Sequence, residues 1–127
     1  MYKILLAEDD EAMRSYLVRA LERSGYVVAA VDNGTDAHAR LLANEHFDLL
    51  LTDIVMPGMD GIELAQKAAL CAPDIKVMFI TGFSAVSLRA NKTVPQAKVL
   101  SKPFHLRDLV IEVERVFGTG GFSNQLG

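Results

Sequence analysis

Residues 48–64 of the chain read DLLLTDIVMPGMDGIEL. This stretch opens with an apolar run, Leu49–Leu51, which is too short for a buried helix and does not alternate with polar residues. Such a run is typical of a parallel strand that is covered on both faces. Thr52 and Asp53 follow the run, then a loop with Pro and Gly, and helical spacing begins at Gly61. The stretch therefore predicts a strand, a loop and the start of a helix.

Similar apolar runs recur along the chain, at Ile4–Ala7, Val27–Val31, Val77–Ile80 and Val99–Leu100. The stretches between them are long enough for a loop, a helix and another loop. Apolar residues at helical spacing predict helices from Met13 to Gly25 and from Leu106 to Gly118, and weaker patterns predict helices near Gly34–Asn44 and Gly61–Cys71. We expect a short helix followed by a loop within Ser84–Gln96.

This alternation of strands and helices predicts an α/β fold. Right-handed crossovers would place the helices on both faces of one parallel sheet, which gives a doubly wound (βα)5 architecture. Sheets of this kind carry their chemistry at the carboxyl ends of the strands, near the point where the strand order reverses.

Composition limits the functional classes. A length of 127 residues predicts one domain, and a net charge of −3 argues against a direct nucleic-acid or anionic-membrane binder. Cys71 is the single cysteine, so the chain has no internal disulfide. The run Ile4–Ala7 ends at four acidic residues, which no secretory signal would carry, and no apolar stretch is long enough to span a bilayer. We therefore expect a cytoplasmic protein.

Polar residues follow four of the predicted strands. Glu8 and Asp9 follow the first, Asp53 ends the third, Thr81 the fourth and Lys102 the fifth. Three close carboxylates repel one another unless a cation joins them or one binds a proton. All-oxygen ligands on a shallow surface suit Mg²⁺, and a divalent ion beside a lysine and a hydroxyl can stabilise a transferring phosphoryl group. Asp53 would be the carboxylate nucleophile.

The string from Asp53 to Gly61, with Glu8-Asp9 before it and Thr81-Gly82 and Lys102-Pro103-Phe104 after it, resembles the receiver domain of two-component response regulators. The resemblance covers about residues 2–117. It implies a flavodoxin- or CheY-like fold with strand order 2-1-3-4-5 and a receiver domain over residues 1–117. The stretch 118–127 has four glycines and no charged residue, so we expect a flexible C-terminal tail there.

The resemblance also implies a role for each site residue. Asp53 would accept a phosphoryl group from a histidine kinase or a phosphotransfer protein. Asp9 would be the chief Mg²⁺ ligand, with Glu8 as its neighbour or second ligand, Asp53 as a further ligand and Val55 offering its backbone carbonyl. Lys102, across a cis bond to Pro103, would pair with the phosphoryl oxygens, and the hydroxyl of Thr81 would move onto the phosphoryl group and transmit the signal. Such a chain is a switch that catalyses only its own phosphorylation and dephosphorylation, and is not an enzyme.

The sequence departs from well-known receivers at three positions. Val99 stands where an aromatic residue often turns inward with the threonine, so an aromatic flip there is excluded; Phe83 or Phe104 could replace it only by a different geometry. Val55 and Phe83 are apolar at two positions that govern the lifetime of the phosphoryl group. Since neither can orient a hydrolytic water, we expect slow self-dephosphorylation.

Some of these residues also have simpler interpretations, and two other protein classes share parts of the pattern. Asp10 and Glu11 are expected to stabilise a helix N-terminus, and Asp60-Gly61 to form a turn or helix start. An aspartate-nucleophile phosphatase would place its nucleophile after the first strand and an acid two residues later, where this chain has Val55. A flavodoxin-like nucleotide binder would need N–H donors after the first strand, where this chain has acids.

The sequence is compatible with three downstream roles for the switch: a protease adaptor, a phosphorelay shuttle and a motor-type switch. The segments ILLAEDDEAMRSYLVRALE (4–22) and DLLLTDIVMPGMDGIEL (48–64) resemble stand-alone receivers of the CpdR type in bacterial cell-cycle regulation. That resemblance implies an unphosphorylated active form that delivers substrates to a ClpX-type protease. A phosphorelay shuttle and a motor-type switch are the alternatives, and Val99 argues against the second.

Overall fold

The computed structural model describes residues 1–82 and 84–118, without the side chains of residues 84–88. The five strands are β1 Lys3–Ala7, β2 Val27–Val31, β3 Leu49–Asp53, β4 Lys76–Thr81 and β5 Lys98–Ser101. The five helices are α1 Glu11–Arg23, α2 Gly34–Leu42, α3 Gly61–Cys71, α4 Ser84–Thr93 and α5 Leu106–Phe117. Strands and helices alternate strictly, as the apolar runs predict.

The strands form one parallel sheet in the order β2-β1-β3-β4-β5. The predicted α/β fold and strand order are confirmed. In the register of the sheet, Ala7 pairs with Thr52 and Asp53 with Ile80, so β1, β3 and β4 end at the same edge. The order reverses between β1 and β3, and the strand-end residues predicted for the site lie along this edge.

The core lies in two layers, one on each face of the sheet. Alternate residues of β1 point to opposite faces, with Leu5 in one cluster and Leu6 in the other. Residues of α2, α3 and α4 cover the first face, and residues of α1 and α5 cover the second. In α1, Leu17 and Leu21 are buried one turn apart, as the helical spacing predicts.

Two strands are less buried than the sequence suggests. β1 and β3 are covered on both faces, whereas β2 and β5 are partly exposed along their length, and Val27 is 41% exposed. The reason is their position, since β2 and β5 are the edges of the sheet. A short apolar run therefore indicates a strand but does not by itself indicate burial on both faces.

The helix ends agree with the sequence signals. Asp10 caps α1 and Asp60 caps α3 through their side chains, which confirms the helix-start interpretation of both acids. Gly118 ends α5 in the left-handed region, with φ of 75°. Within Ser84–Gln96 the backbone forms α4, which extends to Thr93. The predicted tail lies outside the described residues from position 119 onward, and Phe83 does so as well.

None of the helices in the described part of the chain is long and apolar enough to cross a membrane.

Candidate functional site

The predicted site residues meet at the carboxyl edge of the sheet. Glu8 and Asp9 lie directly after β1, Asp53 is the last residue of β3, and Lys102 follows β5. A cavity of about 360 Å³ opens at this edge and is lined by Glu8, Asp9, Asp10, Asp53, Val55, Gly82 and Lys102. The sheet therefore brings together groups that are far apart in the sequence.

The carboxylates form a tight cluster around one ammonium group. One carboxylate oxygen from each of Glu8, Asp9 and Asp53 lies within 4.8 Å of the others. Lys102 Nζ donates to Asp53 Oδ2 at 3.0 Å and to Glu8 Oε1 at 3.4 Å. When ionised, three carboxylates and one ammonium carry two net negative charges, the charge that a divalent cation would balance.

Glu8 is the most deeply placed carboxylate of the cluster. Its side chain is fully buried, and Oε2 accepts a hydrogen bond from the backbone N–H of Asp10 at 3.1 Å. Burial raises the pKa of Glu8 from 4.5 to about 7, and the nearby negative charge of Asp53 contributes to the increase. In the absence of a cation, Glu8 therefore binds a proton below about pH 7, which lowers the negative charge of the cluster.

Lys102 remains charged in spite of its position. Burial by itself would lower the pKa of its ammonium group, but the hydrogen bond and charge of Asp53, followed by those of Glu8, raise the pKa on balance. The site thus contains a cation beside the carboxylate that the sequence predicts to be the nucleophile.

The backbone of Asp53 packs against the first residue of helix α3. The residue is 6% exposed, and its Oδ1 accepts from the backbone N–H of Val55 at 3.3 Å. Gly61, the first residue of α3, donates its N–H to the carbonyl of Ile54 at 2.8 Å. A Cβ atom at Gly61 would overlap the backbone carbonyl oxygen of Asp53. The glycine therefore lets the helix pack directly against the backbone of the site, a role that the sequence interpretation of Asp60-Gly61 as a helix start did not include.

Thr81 and Pro103 complete this edge. Thr81 is fully buried at the end of β4, beside Gly82, and its carbonyl accepts from the backbone N–H of Lys102 at 2.7 Å. The peptide bond between Lys102 and Pro103 is cis, as the resemblance implies. Val55 lines the cavity and is 45% exposed, so an apolar residue forms part of the cavity wall.

The donor set fits a hard cation. Carboxylate oxygens are the ligands that Mg²⁺ prefers, and this ion keeps several waters, which a cluster with one exposed member allows. Asp9 is exposed, whereas Glu8 and Asp53 are buried. The residues present can hold Mg²⁺ at the position that the sequence predicts.

Comparison with known proteins identifies the family. A family model described as the response regulator receiver domain matches residues 4–114. The chain belongs to this family. The receiver is 62% identical over 117 residues to the response regulator receiver protein CpdR of Brucella abortus, an alignment that covers 91% of this chain and 97% of CpdR.

Solved receivers have the same architecture. A response regulator receiver protein of Sinorhizobium medicae is 29% identical, with a TM-score of 0.85 over 92% of this chain and 94% of that one. The response regulator TrrA of Thermotoga maritima, solved in complex with Mg²⁺ and BeF, is 26% identical, with a TM-score of 0.80 over 91% of this chain and 99% of that one. Both agree with a CheY-like receiver fold.

Val99 and Phe104 lie on different faces of this receiver. Val99 is half-buried and packs against the core under α2, α3 and α4, whereas Phe104 packs against the core under α1 and α5. Phe104 therefore lies on the wrong face of the sheet to take the part of the aromatic residue that many receivers have at the position of Val99. Phe83, the other candidate, lies outside the described residues.

A contact between α3 and α4 was not predicted from the sequence. Arg89 Nη2 donates to Asp60 Oδ2 at 2.8 Å, while Asp60 Oδ1 caps α3 by accepting from Glu63 N–H at 2.8 Å. Asp60 was recognised as a helix start, but its partner is 29 residues away and no local pattern indicates it.

Proposed function

We propose that this receiver is a cytoplasmic two-component switch that accepts a phosphoryl group on Asp53 from a histidine kinase or a phosphotransfer protein. One observation carries the proposal: the nearly buried carboxylate of Asp53 lies 3.0 Å from an ammonium group and within 4.8 Å of two further carboxylates. The complex of TrrA with Mg²⁺ and BeF supports it, because TrrA has the same fold.

Phosphorylation on Asp53 would be a single displacement. A carboxylate oxygen of Asp53 attacks the phosphorus of a phosphohistidine, and an O–P bond forms as the N–P bond breaks. The electron pair of the N–P bond stays on the imidazole, whose ring takes up a proton from solvent. Lys102 remains protonated, since its pKa is raised, and its ammonium group can pair with the phosphoryl oxygens. The hydroxyl of Thr81 would donate to a phosphoryl oxygen once the acceptor is modified.

Glu8, Asp9 and Asp53 would hold Mg²⁺ with their carboxylates, and Val55 with its backbone carbonyl. When bound, this ion neutralises charge on the carboxylates and on the transferring phosphoryl group. The protein's part is to keep three carboxylates within 4.8 Å in spite of their repulsion. The hydrogen bonds to Glu8 and Asp53 from backbone N–H groups and from Lys102 provide that arrangement.

The acceptor can be tested with acetyl phosphate and Mg²⁺. Intact-protein mass spectrometry should show one acid-labile phosphoryl group on the wild type and none on Asp53→Asn. Asp9→Asn should weaken Mg²⁺ binding strongly, whereas Asp10→Asn is the matched control, because Asp10 caps α1 and Asn is an equally good cap. A label that persists on Asp53→Asn would show that the acceptor is another residue.

We also propose that the phosphoryl group controls a protein–protein contact, with the unphosphorylated form acting as an adaptor for a ClpX-type protease. The similarity to CpdR supports this reading, since the alignment covers 97% of that relative. The half-buried valine at position 99 argues against the motor-type alternative, whose members usually carry an aromatic residue there.

The adaptor proposal is tested by affinity capture from lysate. Wild type treated with acetyl phosphate and Mg²⁺ is compared with Asp53→Ala, which cannot be modified at this position. We expect the ClpX-type protease to be retained by Asp53→Ala and released by the phosphorylated wild type. Retention of a kinase or phosphotransfer protein alone would contradict the adaptor role and favour a phosphorelay shuttle.

A further inference from the structure

Glu8 is bonded through every polar group that it carries. Its N–H donates to the carbonyl of Val31 at 3.1 Å, and its carbonyl accepts from Arg14 Nη1 at 2.9 Å. Its carboxylate accepts from Asp10 N–H at 3.1 Å and from Lys102 Nζ at 3.4 Å. The residue is 0% exposed, so water cannot replace any of these partners. The position of Glu8 is therefore fixed by its neighbours.

Arg14 is an unusual partner for that carbonyl. It is the fourth residue of α1, where the partial positive charge of the helix N-terminus disfavours a cation. Within the described part of the chain its guanidinium makes no ion pair with a carboxylate; the contact that it makes is with the Glu8 carbonyl. Helical side chains lean towards the N-terminus, and this lean directs Arg14 back to the turn that leads from β1 to α1.

We propose that Arg14 is a positioning residue for the carboxylate cluster. By holding the carbonyl of Glu8, it fixes the turn from which the side chains of Glu8 and Asp9 extend, and so keeps their oxygens at the spacing that a cation requires. Arg14 does not touch the cation or the phosphoryl group. This inference rests on the proposed function, because it assigns Arg14 to the same Mg²⁺ site.

Two physical effects of removing Arg14 have opposite signs. Loss of a positive charge near three carboxylates would strengthen cation binding. Loss of the hydrogen bond would leave a buried carbonyl without that donor and release the turn, which would weaken cation binding. The direction of the change therefore separates positioning from simple electrostatics.

The purified protein is titrated with Mg²⁺ alone, and binding is measured by isothermal titration calorimetry well below the unfolding temperature. Arg14→Met removes both charge and donor, and Arg14→Lys keeps the charge and a shorter donor. Arg19→Met is the matched control, because Arg19 is an exposed arginine of the same helix. We expect Arg14→Met to raise the Kd for Mg²⁺ by about three- to tenfold. Arg14→Lys should recover part of the affinity, and Arg19→Met should not raise the Kd.

A Kd for Arg14→Met that is unchanged or lower would overturn the inference. If Arg14→Met does not fold, the Kd for Mg²⁺ of Arg14→Ala is compared with that of the wild type instead, since alanine is the best helix former. If Arg14 only stabilised the fold, Arg14→Met would lower the unfolding temperature but leave the Kd for Mg²⁺ unchanged, and Arg14→Lys would have no lost affinity to restore. Absence of Mg²⁺ binding by the wild type would instead contradict the proposed function, so the two failures are distinguishable.

Discussion

Lys102 Nζ lies 3.0 Å from Asp53 Oδ2, across 49 positions of sequence. The contact joins the residue that follows the edge strand β5 to the last residue of the central strand β3, and it places a positive charge against the proposed phosphoacceptor. In this arrangement the lysine can both restrain the free carboxylate and stabilise the modified one.

Replacing Lys102 with Met should lower the rate of phosphoryl uptake from acetyl phosphate by about 100-fold, because one charged donor to the developing phosphoryl charge is lost. Mg²⁺ affinity should not fall, since the lysine competes with the cation for Glu8 and Asp53. Lys98→Met is the control: Lys98 is the first residue of β5, the strand that Lys102 follows, but it pairs with Glu112 at 3.7 Å. Equal uptake rates for the two variants would exclude the proposed role of Lys102.

The stability of the metal-free protein should depend on the proton held by Glu8. Its pKa is about 7 in the folded protein and 4.5 ordinarily, so the folded state binds more protons between these values and stability falls as pH rises. In EDTA, the free energy of unfolding should decrease by roughly 2–3 kcal/mol from about pH 4 to about pH 8 through this group. Denaturant titrations of wild type and Glu8→Gln measure the effect by difference. Parallel pH profiles would mean that Glu8 titrates normally.

The lifetime of the phosphorylated form should depend on the residue at position 55. Val55 is 45% exposed on the cavity wall and cannot orient a water for attack on the phosphorus. Val55→Asn introduces an amide there and should shorten the half-life of the phosphorylated protein by at least about fivefold. Val55→Ile, which stays apolar, should leave the half-life unchanged. The decay of the phosphorylated species is followed by mass spectrometry after removal of acetyl phosphate, and a half-life that barely differs in Val55→Asn contradicts the hypothesis.

Asp60 should contribute to stability mainly as a helix cap and less as an ion-pair partner. Asp60→Ala removes the acceptor for Glu63 N–H and should destabilise the protein by about 1 kcal/mol. Asp60→Asn keeps a capping oxygen and loses the charge, so it should cost less than half as much. Arg89→Ala should behave like Asp60→Asn, because the ion pair is largely exposed. Thermal unfolding of the three variants measures how much each one destabilises the protein. A larger loss of stability for Arg89→Ala than for Asp60→Ala would show that the ion pair matters more than the cap.

The fold was predictable because its signals are local. Short apolar runs, capping acids such as Asp10 and the glycine at position 118 each act within a few residues, and they set the order of strands and helices. The strand-end rule for parallel sheets then places Glu8, Asp53 and Lys102 at one edge without knowledge of any distance.

Contacts between distant segments could not be predicted in this way. The bond from Arg14 to the Glu8 carbonyl and the ion pair from Arg89 to Asp60 depend on how helices are oriented on the sheet. One signal was present: an arginine in the first turn of α1 opposes the helix dipole, which points to a stabilising partner outside the helix. The packing of Gly61 against the backbone of Asp53 likewise depends on how α3 is placed against β3.

The site draws on residues 8–9, 53 and 102, which lie near the beginning, the middle and the end of the described chain. During synthesis on the ribosome, the acidic residues therefore emerge long before the ammonium group that sits among them. A nascent chain that stops before β5 contains the carboxylates but lacks Lys102. On the proposed function, a nascent chain therefore acquires its complete phosphoryl-accepting site only after β5 and Lys102 have been synthesised.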